Sequence, residues 1–154
     1  MKWIAAVLLL AVVPAAARDP LGVFGGWAAF SDPSPRRCYA IAQPVDRDRQ
    51  AAFASIADWP GQNTRNQLHV RLSHARAGSA RVTLSIGERR FDLVAGDMDA
   101  WAPDARTDAA IVAAIRSGRS MSVEALGRGG AFADTYALTG AATAIDAATL
   151  ACRR

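Results

Sequence analysis

Histidine, cysteine, lysine and glutamate are nearly absent from this chain of 154 residues. The two histidines, His69 and His74, cannot by themselves supply a transition-metal site, which takes three or four convergent ligands. Their spacing puts them on opposite faces of a strand, with His69 expected to be exposed and His74 half-buried. The two glutamates, Glu88 and Glu124, fall in or beside strand-like segments on the wet side and make no glycosidase pair. No G-x-S-x-G elbow occurs, and no serine stands beside a local histidine and acid. The glycine-rich Gly127–Gly130 lacks the Lys-Ser/Thr of a phosphate loop and has no helix directly after it, so it reads as a hairpin turn. Beyond residue 17 there is no long apolar run, which leaves no segment fit to cross a bilayer as a helix of ~20 residues.

What is there begins with a leader. Lys2 supplies a positive start, Trp3–Val13 an apolar run, Pro14 a break, and Ala15-Ala16-Ala17 a small-residue cleavage site. This order is that of a secretory signal, so residues 18–154 are expected to form a single exported domain. The formal net charge is +4; leaving out Lys2 gives 17 basic residues against 14 acidic ones, or +3. The arginines are spread along the chain rather than interleaved with aromatics, and export makes nucleic acid an improbable partner.

The stretch Leu21–Gln43 organises the rest. It reads as two short strands, Val23–Phe30 and Cys38–Gln43, around a Pro33–Pro35 connection, after a short leader at Arg18–Leu21. Gly25-Gly26 inside the first suggests a bulge or a close backbone approach. The second places Cys38, Ala40 and Ala42 on one face and Tyr39, Ile41 and Gln43 on the other. Ala52–Ile56 is a short strand candidate, Trp59-Pro60-Gly61 a turn, and Gln62–Asn66 a polar surface segment. Leu68, Val70 and Leu72 alternate with polar residues, as do Val82, Leu84 and Ile86; Phe91 and Leu93 resume the inward face after Gly87-Glu88. Together they read as an antiparallel meander.

Gly96–Arg106 reads as a loop centred on Trp101. A helix is expected near 107–117, capped by Thr107, with Asp108 against the positive end of its dipole and Gly118 in a left-handed C′ position. Met121, Val123 and Ala125, then Phe132, Tyr136 and Leu138 around Asp134, make two more strands. Ala141–Cys152 is an Ala-rich helix whose Ala141, Ile145, Ala148 and Cys152 share one face. Seven or so short strands and two helices predict a mainly β domain: an antiparallel β-sandwich or partly closed barrel with two short helices packed on it.

Trp27 is expected to fill the core, whereas Trp59 and Trp101, in loops, are the candidate surface aromatic contacts for a sugar or peptide. Asp97, Asp99 and Asp104 form the densest acidic loop, but their spacing does not match an EF-hand and a solvated loop is expected. No metal and no cofactor is expected. Export places the chain in an oxidising compartment, where two cysteines of a small domain pair. Cys152 faces inward with Ile145, and the small Ala40 and Ala42 beside Cys38 would let a helix approach, so a Cys38–Cys152 disulfide is expected. The rivals are two free buried thiols or an intermolecular bridge through Cys152.

The chain resembles the invasion-associated locus B family, small exported proteins of alphaproteobacteria. The likeness rests on the leader, on Phe24-Gly25-Gly26-Trp27 ahead of Cys38-Tyr39, on the helix leading into a strand across Ile111–Met121, and on Leu138-Thr139-Gly140 to Ala144 opening the last helix. Phe30 and the Asp97–Arg106 stretch stand where that family carries further cysteines. The resemblance implies a non-enzymatic binding or structural role in the periplasm or at the cell surface, with an envelope or surface protein or a glycan as partner. The alternative is a small periplasmic hydrolase or inhibitor.

Overall fold

A computed structural model describes residues 17–46, 48 and 51–153; apart from Ala17, the expected leader lies outside the described residues. Ten strands follow in chain order with two helices. They are β1 (Asp19–Phe24), β2 (Trp27–Pro33), β3 (Arg36–Ala42), β4 (Phe53–Trp59), β5 (Thr64–Arg71), β6 (Val82–Ile86), β7 (Arg89–Ala95) and β8 (Asp99–Trp101), then α1 (Ala105–Ser117), β9 (Ser120–Gly127), β10 (Gly130–Ala137) and α2 (Ala141–Cys152). All pairings are antiparallel, in the order β1-β2-β3-β4-β5-β8-β7-β6-β9-β10. The expected mainly β architecture with two short helices is therefore present, as an open ten-stranded sheet.

The sheet curls until its two ends meet without a ladder between them. Trp27 Nε1 on β2 donates to Ala137 O on β10 at 2.9 Å, and Val45 N donates to Thr135 O at 2.8 Å. Trp27 is fully buried there, among Leu68, Leu84, Ile111, Met121, Tyr136 and Ile145. The alternation read from sequence holds: Val82, Leu84 and Ile86 are buried, Arg81 is exposed, and Thr83 and Ser85 are half-exposed. Phe91 is half-buried and packs against the core from its margin.

Several expected boundaries differ. The single strand Val23–Phe30 is two strands, because Gly25-Gly26 is a tight turn with φ 59° at Gly25 rather than a bulge. The expected close approach is real: a Cβ at Gly25 would run into the Thr139 carbonyl, and one at Gly140 into the Phe24 carbonyl. The Arg18–Leu21 leader is mostly strand, with Pro20 tolerated because β1 is a sheet edge. β5 begins at Thr64, taking in part of the segment expected to be surface loop. The meander is interrupted: β5 pairs with β8, so β8 and β7 lie between Leu68–Leu72 and Val82–Ile86. The expected Gly96–Arg106 loop contains β8, which puts Trp101 on a strand.

Asp104, not Thr107, caps α1: its carboxylate accepts from Thr107 N at 2.7 Å, one turn ahead of the expected start. Gly118 has φ −85°, so it is not left-handed. Glycine is needed there for space, since a Cβ would lie 2.6 Å from Ile86 Cγ2. α1 buries Ile111, Val112 and Ile115, and its Asp108 is buried with Oδ1 accepting from Leu68 N at 2.8 Å. Burial pushes the Asp108 carboxyl up, the Leu68 bond opposing and Asp104 adding.

α2 lies across the inner face of β1–β4 and is fixed there covalently. Cys38 and Cys152 form a disulfide with Cα atoms 5.8 Å apart, and neither thiol is free. The expected pairing is present, for the expected reason: Ala40 and Ala42 leave room for the helix. Arg116 and Asp146, 2.6 Å apart, tie α1 to α2.

Candidate ligand-binding face

Both helices pack on the face that carries the core, since Ile111, Ile115, Ala144, Ile145 and Ala148 join the cluster formed by Ala40, Ile56 and Leu68. Among the described residues the opposite face of β1–β5, β8 and β7 carries no helix. An antiparallel sheet can leave one face to solvent, but that face is then normally polar. Here it is not. The registers align one row across seven strands: Val23, Ala28, Ile41, Ser55, His69, Trp101, Val94. Six inter-strand steps make the row roughly 29 Å long. Val23 and Val94 are exposed, and Trp101 is 37% exposed.

Aromatic residues gather at two places on this face. In the first, His69 stacks on Trp101 with ring centroids 5.2 Å apart and planes 6° from parallel, and Phe53 meets the other side of His69 edge-on at 5.1 Å. His69 Nε2 lies 2.9 Å from Asp99 Oδ1, and Arg71 Nη1 donates to Asp99 Oδ2 at 2.6 Å. Asp99 thus fixes the imidazole and the guanidinium together, leaving one face of the Trp101 indole to solvent.

In the second, Arg37 lies 4.1 Å from the Tyr39 ring centroid and 5.1 Å from that of Trp59, and Arg18 approaches Phe30 and Tyr39 at 5.4 and 5.6 Å. Asp32 bridges the two arginines, at 3.3 Å to Arg18 Nε and 2.6 Å to Arg37 Nη2. Among the described residues, buried Trp59 Nε1 has no acceptor and Tyr39 Oη has no hydrogen bond of good geometry, although Arg37 lies beside it. Burial first, then Asp32, raises the Tyr39 phenol while the two arginines oppose, so it remains a neutral donor at neutral pH. Arg18, Asp32, Arg37 and Trp59, with the Pro33–Pro35 turn, line a cleft of about 340 Å³.

The two expected contact residues, Trp59 and Trp101, therefore share one face. Strand spacing and rise put them roughly 16–19 Å apart, so they are separate footholds rather than one stack. Trp27 is in the core. The expected exposures of the histidines are exchanged: His69 is half-buried in its ring stack and His74 is exposed, with Nδ1 2.9 Å from Ser73 Oγ. The acidic stretch is dispersed into separate pairings, Asp97 with Arg128 at 2.8 Å, Asp99 with His69 and Arg71, and Asp104 as the helix cap. Among the described residues no group of three or more His, Cys, Asp or Glu converges as a metal set. Gly127–Gly130 joins β9 to β10 as a hairpin.

Ser55, His69 and Asp99 have the residue types of a hydrolytic triad. Their geometry does not assemble one, because Ser55 Oγ donates to the His69 main-chain carbonyl at 3.5 Å rather than to the ring. Arg18, Asp32, Arg37 and Phe53 went unread as site residues. Alternation alone placed Tyr39 opposite Cys38, so this end of the face was partly visible; the Asp32–Arg37 pairing needed the hairpin register as well.

No protein-family model, curated protein or solved structure matches the chain.

Proposed function

We propose that this protein is exported and acts as a non-enzymatic binding module of the cell envelope, with the helix-free face of the sheet as its binding surface. The observation that carries the reading is the seven-strand row ending on exposed Trp101 and Val94, a mostly apolar stripe, broken by Ser55 and His69, on a face flanked by charged pairs. Large flat aromatic residues held by their neighbours, as Trp101 is by His69 with Phe53 behind it, lose little side-chain freedom on binding. A disulfide joining the ends of the domain suits an oxidising compartment. No helix among the described residues is long and apolar enough to cross a membrane. Kinship with the invasion-associated locus B proteins belongs to the same proposal. A hydrolase would need a nucleophile held against a base, and Ser55 Oγ donates to the His69 main-chain carbonyl rather than to its ring.

The test is capture from separated envelope glycan and envelope protein fractions by the immobilised protein and by its Trp101→Ala variant. A species held by the parent and lost by the folded variant supports the reading. Equal capture by both, or none by either, overturns it.

A further inference from the structure

We propose that the cleft between the Pro33–Pro35 turn and Trp59 is an oxyanion site, built to take a carboxylate or phosphate carried by an acidic envelope glycan. The inference rests on the binding reading above and names the ligand chemistry of one part of that face.

The cleft is rich in donors and short of acceptors. Each guanidinium offers five N–H groups and accepts nothing. Arg18 uses Nε, and Arg37 uses Nη2, on the same Asp32 carboxylate. That leaves the two terminal nitrogens of Arg18 with no protein acceptor among the described residues, and the rest of the Arg37 guanidinium with only the Tyr39 hydroxyl beside it. Trp59 Nε1–H, on a ring lining the same cleft, has no acceptor either. Both oxygens of Asp32 are engaged. Two cations against one anion leave a net charge of +1, so the missing partner is an acceptor that brings negative charge.

The arrangement is also held ready. Tyr39 and Trp59 flank the Arg37 guanidinium, and Asp32 fixes its end, so its plane is set before a ligand arrives. A flat anionic membrane would call for a spread basic surface; here the charge sits in a concavity of about 340 Å³ walled by an indole and two prolines. That shape suits a ring bearing an acid group, which can lie against the indole and present its oxygens to the arginines.

The experiment reads the indole N–H resonances of nitrogen-15-labelled protein during titration with glucuronate, inorganic phosphate, glucose, and vesicles with or without anionic phospholipid. Glucuronate is expected to shift Trp59 and leave Trp27 and Trp101 in place, with phosphate acting more weakly at the same residue and glucose having no effect. Arg18 is 57% exposed at its side chain, so Arg18→Gln leaves the fold intact, and it should weaken glucuronate binding by about tenfold or more. Arg37→Gln should do the same in protein whose other resonances are unchanged. No Trp59 shift with glucuronate or phosphate, or the same affinity in Arg18→Gln, overturns the site. Binding only to anionic vesicles overturns the glycan as its source. If Trp59 stays silent while Trp101-dependent capture persists, the oxyanion site fails and the wider binding face stands.

Discussion

Cys38 and Cys152 are 114 residues apart in sequence and 5.8 Å apart at their Cα atoms. The bridge links the third strand to the last turn of the last helix, so it closes nearly the whole domain into one loop. In the chain-entropy account a loop of about 100 residues contributes roughly 4.7 kcal/mol, by restricting the unfolded chain. Cys38→Ser with Cys152→Ser, or reduction, is expected to lower stability by about 2–5 kcal/mol. Urea unfolding with and without reductant measures this, and an unchanged midpoint would refute it.

The β1–β2 turn is seated on the Thr139-Gly140 step that leads into α2, where Gly26 N donates to Thr139 O at 3.4 Å. Gly140 has φ 85° and no room for a Cβ against the Phe24 carbonyl. Gly140→Ala combines a left-handed penalty with overpacking and should cost about 3 kcal/mol. Gly129, with open space around it, is the control; Gly129→Ala should change stability by less than about 1 kcal/mol. Thermal unfolding of the two variants distinguishes them, and equal losses would overturn the argument.

Asp108 gives the pH dependence. Burial raises its folded-state pKa above the unfolded value, so the folded protein holds this proton to higher pH. Stability from this group is therefore greatest below the unfolded value and declines as pH rises through the interval to the raised value. Asp108→Asn keeps an oxygen for Leu68 N and removes the charge, and should flatten that decline. Asp108→Ala leaves the Leu68 amide unpaired and should cost about 1–3 kcal/mol at any pH. Denaturant midpoints measured across the acid range decide it; a parent and Asn variant with parallel profiles would rule the group out.

Export has its own check. Arg18, whose Nε lies 3.3 Å from Asp32, is the first described side chain to engage the fold. Cleavage after Ala17 should leave it as the first residue of the mature chain. N-terminal sequencing of periplasmic protein is expected to begin at Arg18, and a full-length chain confined to the cytoplasm would contradict it.

What the sequence made legible was local. Val82, Leu84 and Ile86 announce their strand by alternation, and Ala141, Ile145, Ala148 and Cys152 announce a helix face by spacing, because both patterns come from a single element burying one side. Strand β8 was hidden because three residues carry no period, and its partner β5 lies about thirty positions away. The turn at Gly25-Gly26 was hidden because two glycines inside an apolar run suit a bulge as well as a hairpin. At α1 both Asp104 and Thr107 can cap; Asp104 does so because the helix starts at Ala105, leaving Thr107 N as one of the free amides of the first turn. The binding face was least visible of all. Trp59 and Trp101 could be named singly, but their shared face, and the row through Ser55 and His69, exist only once the registers of seven strands are known.

Trp27 and Trp101 separate folding from binding within one residue type. Trp27 is 0% exposed and donates to Ala137 O, joining the two ends of the curled sheet. Trp27→Ala removes a large core side chain and a hydrogen bond together, and should cost about 3–5 kcal/mol. Trp101 rests one face on His69 and offers the other to solvent. Its loss sacrifices a surface ring contact, so Trp101→Ala should cost no more than about 1.5 kcal/mol. On the binding reading the effects on capture run the other way: Trp101→Ala should abolish capture of the envelope species in a folded protein. His69→Ala frees the indole from its stack and should weaken capture without abolishing it. Urea unfolding and capture, measured on the same three preparations, give both quantities. If Trp101→Ala unfolds as easily as Trp27→Ala, Trp101 is a structural residue. If it binds as well as the parent, this face is not where the partner sits.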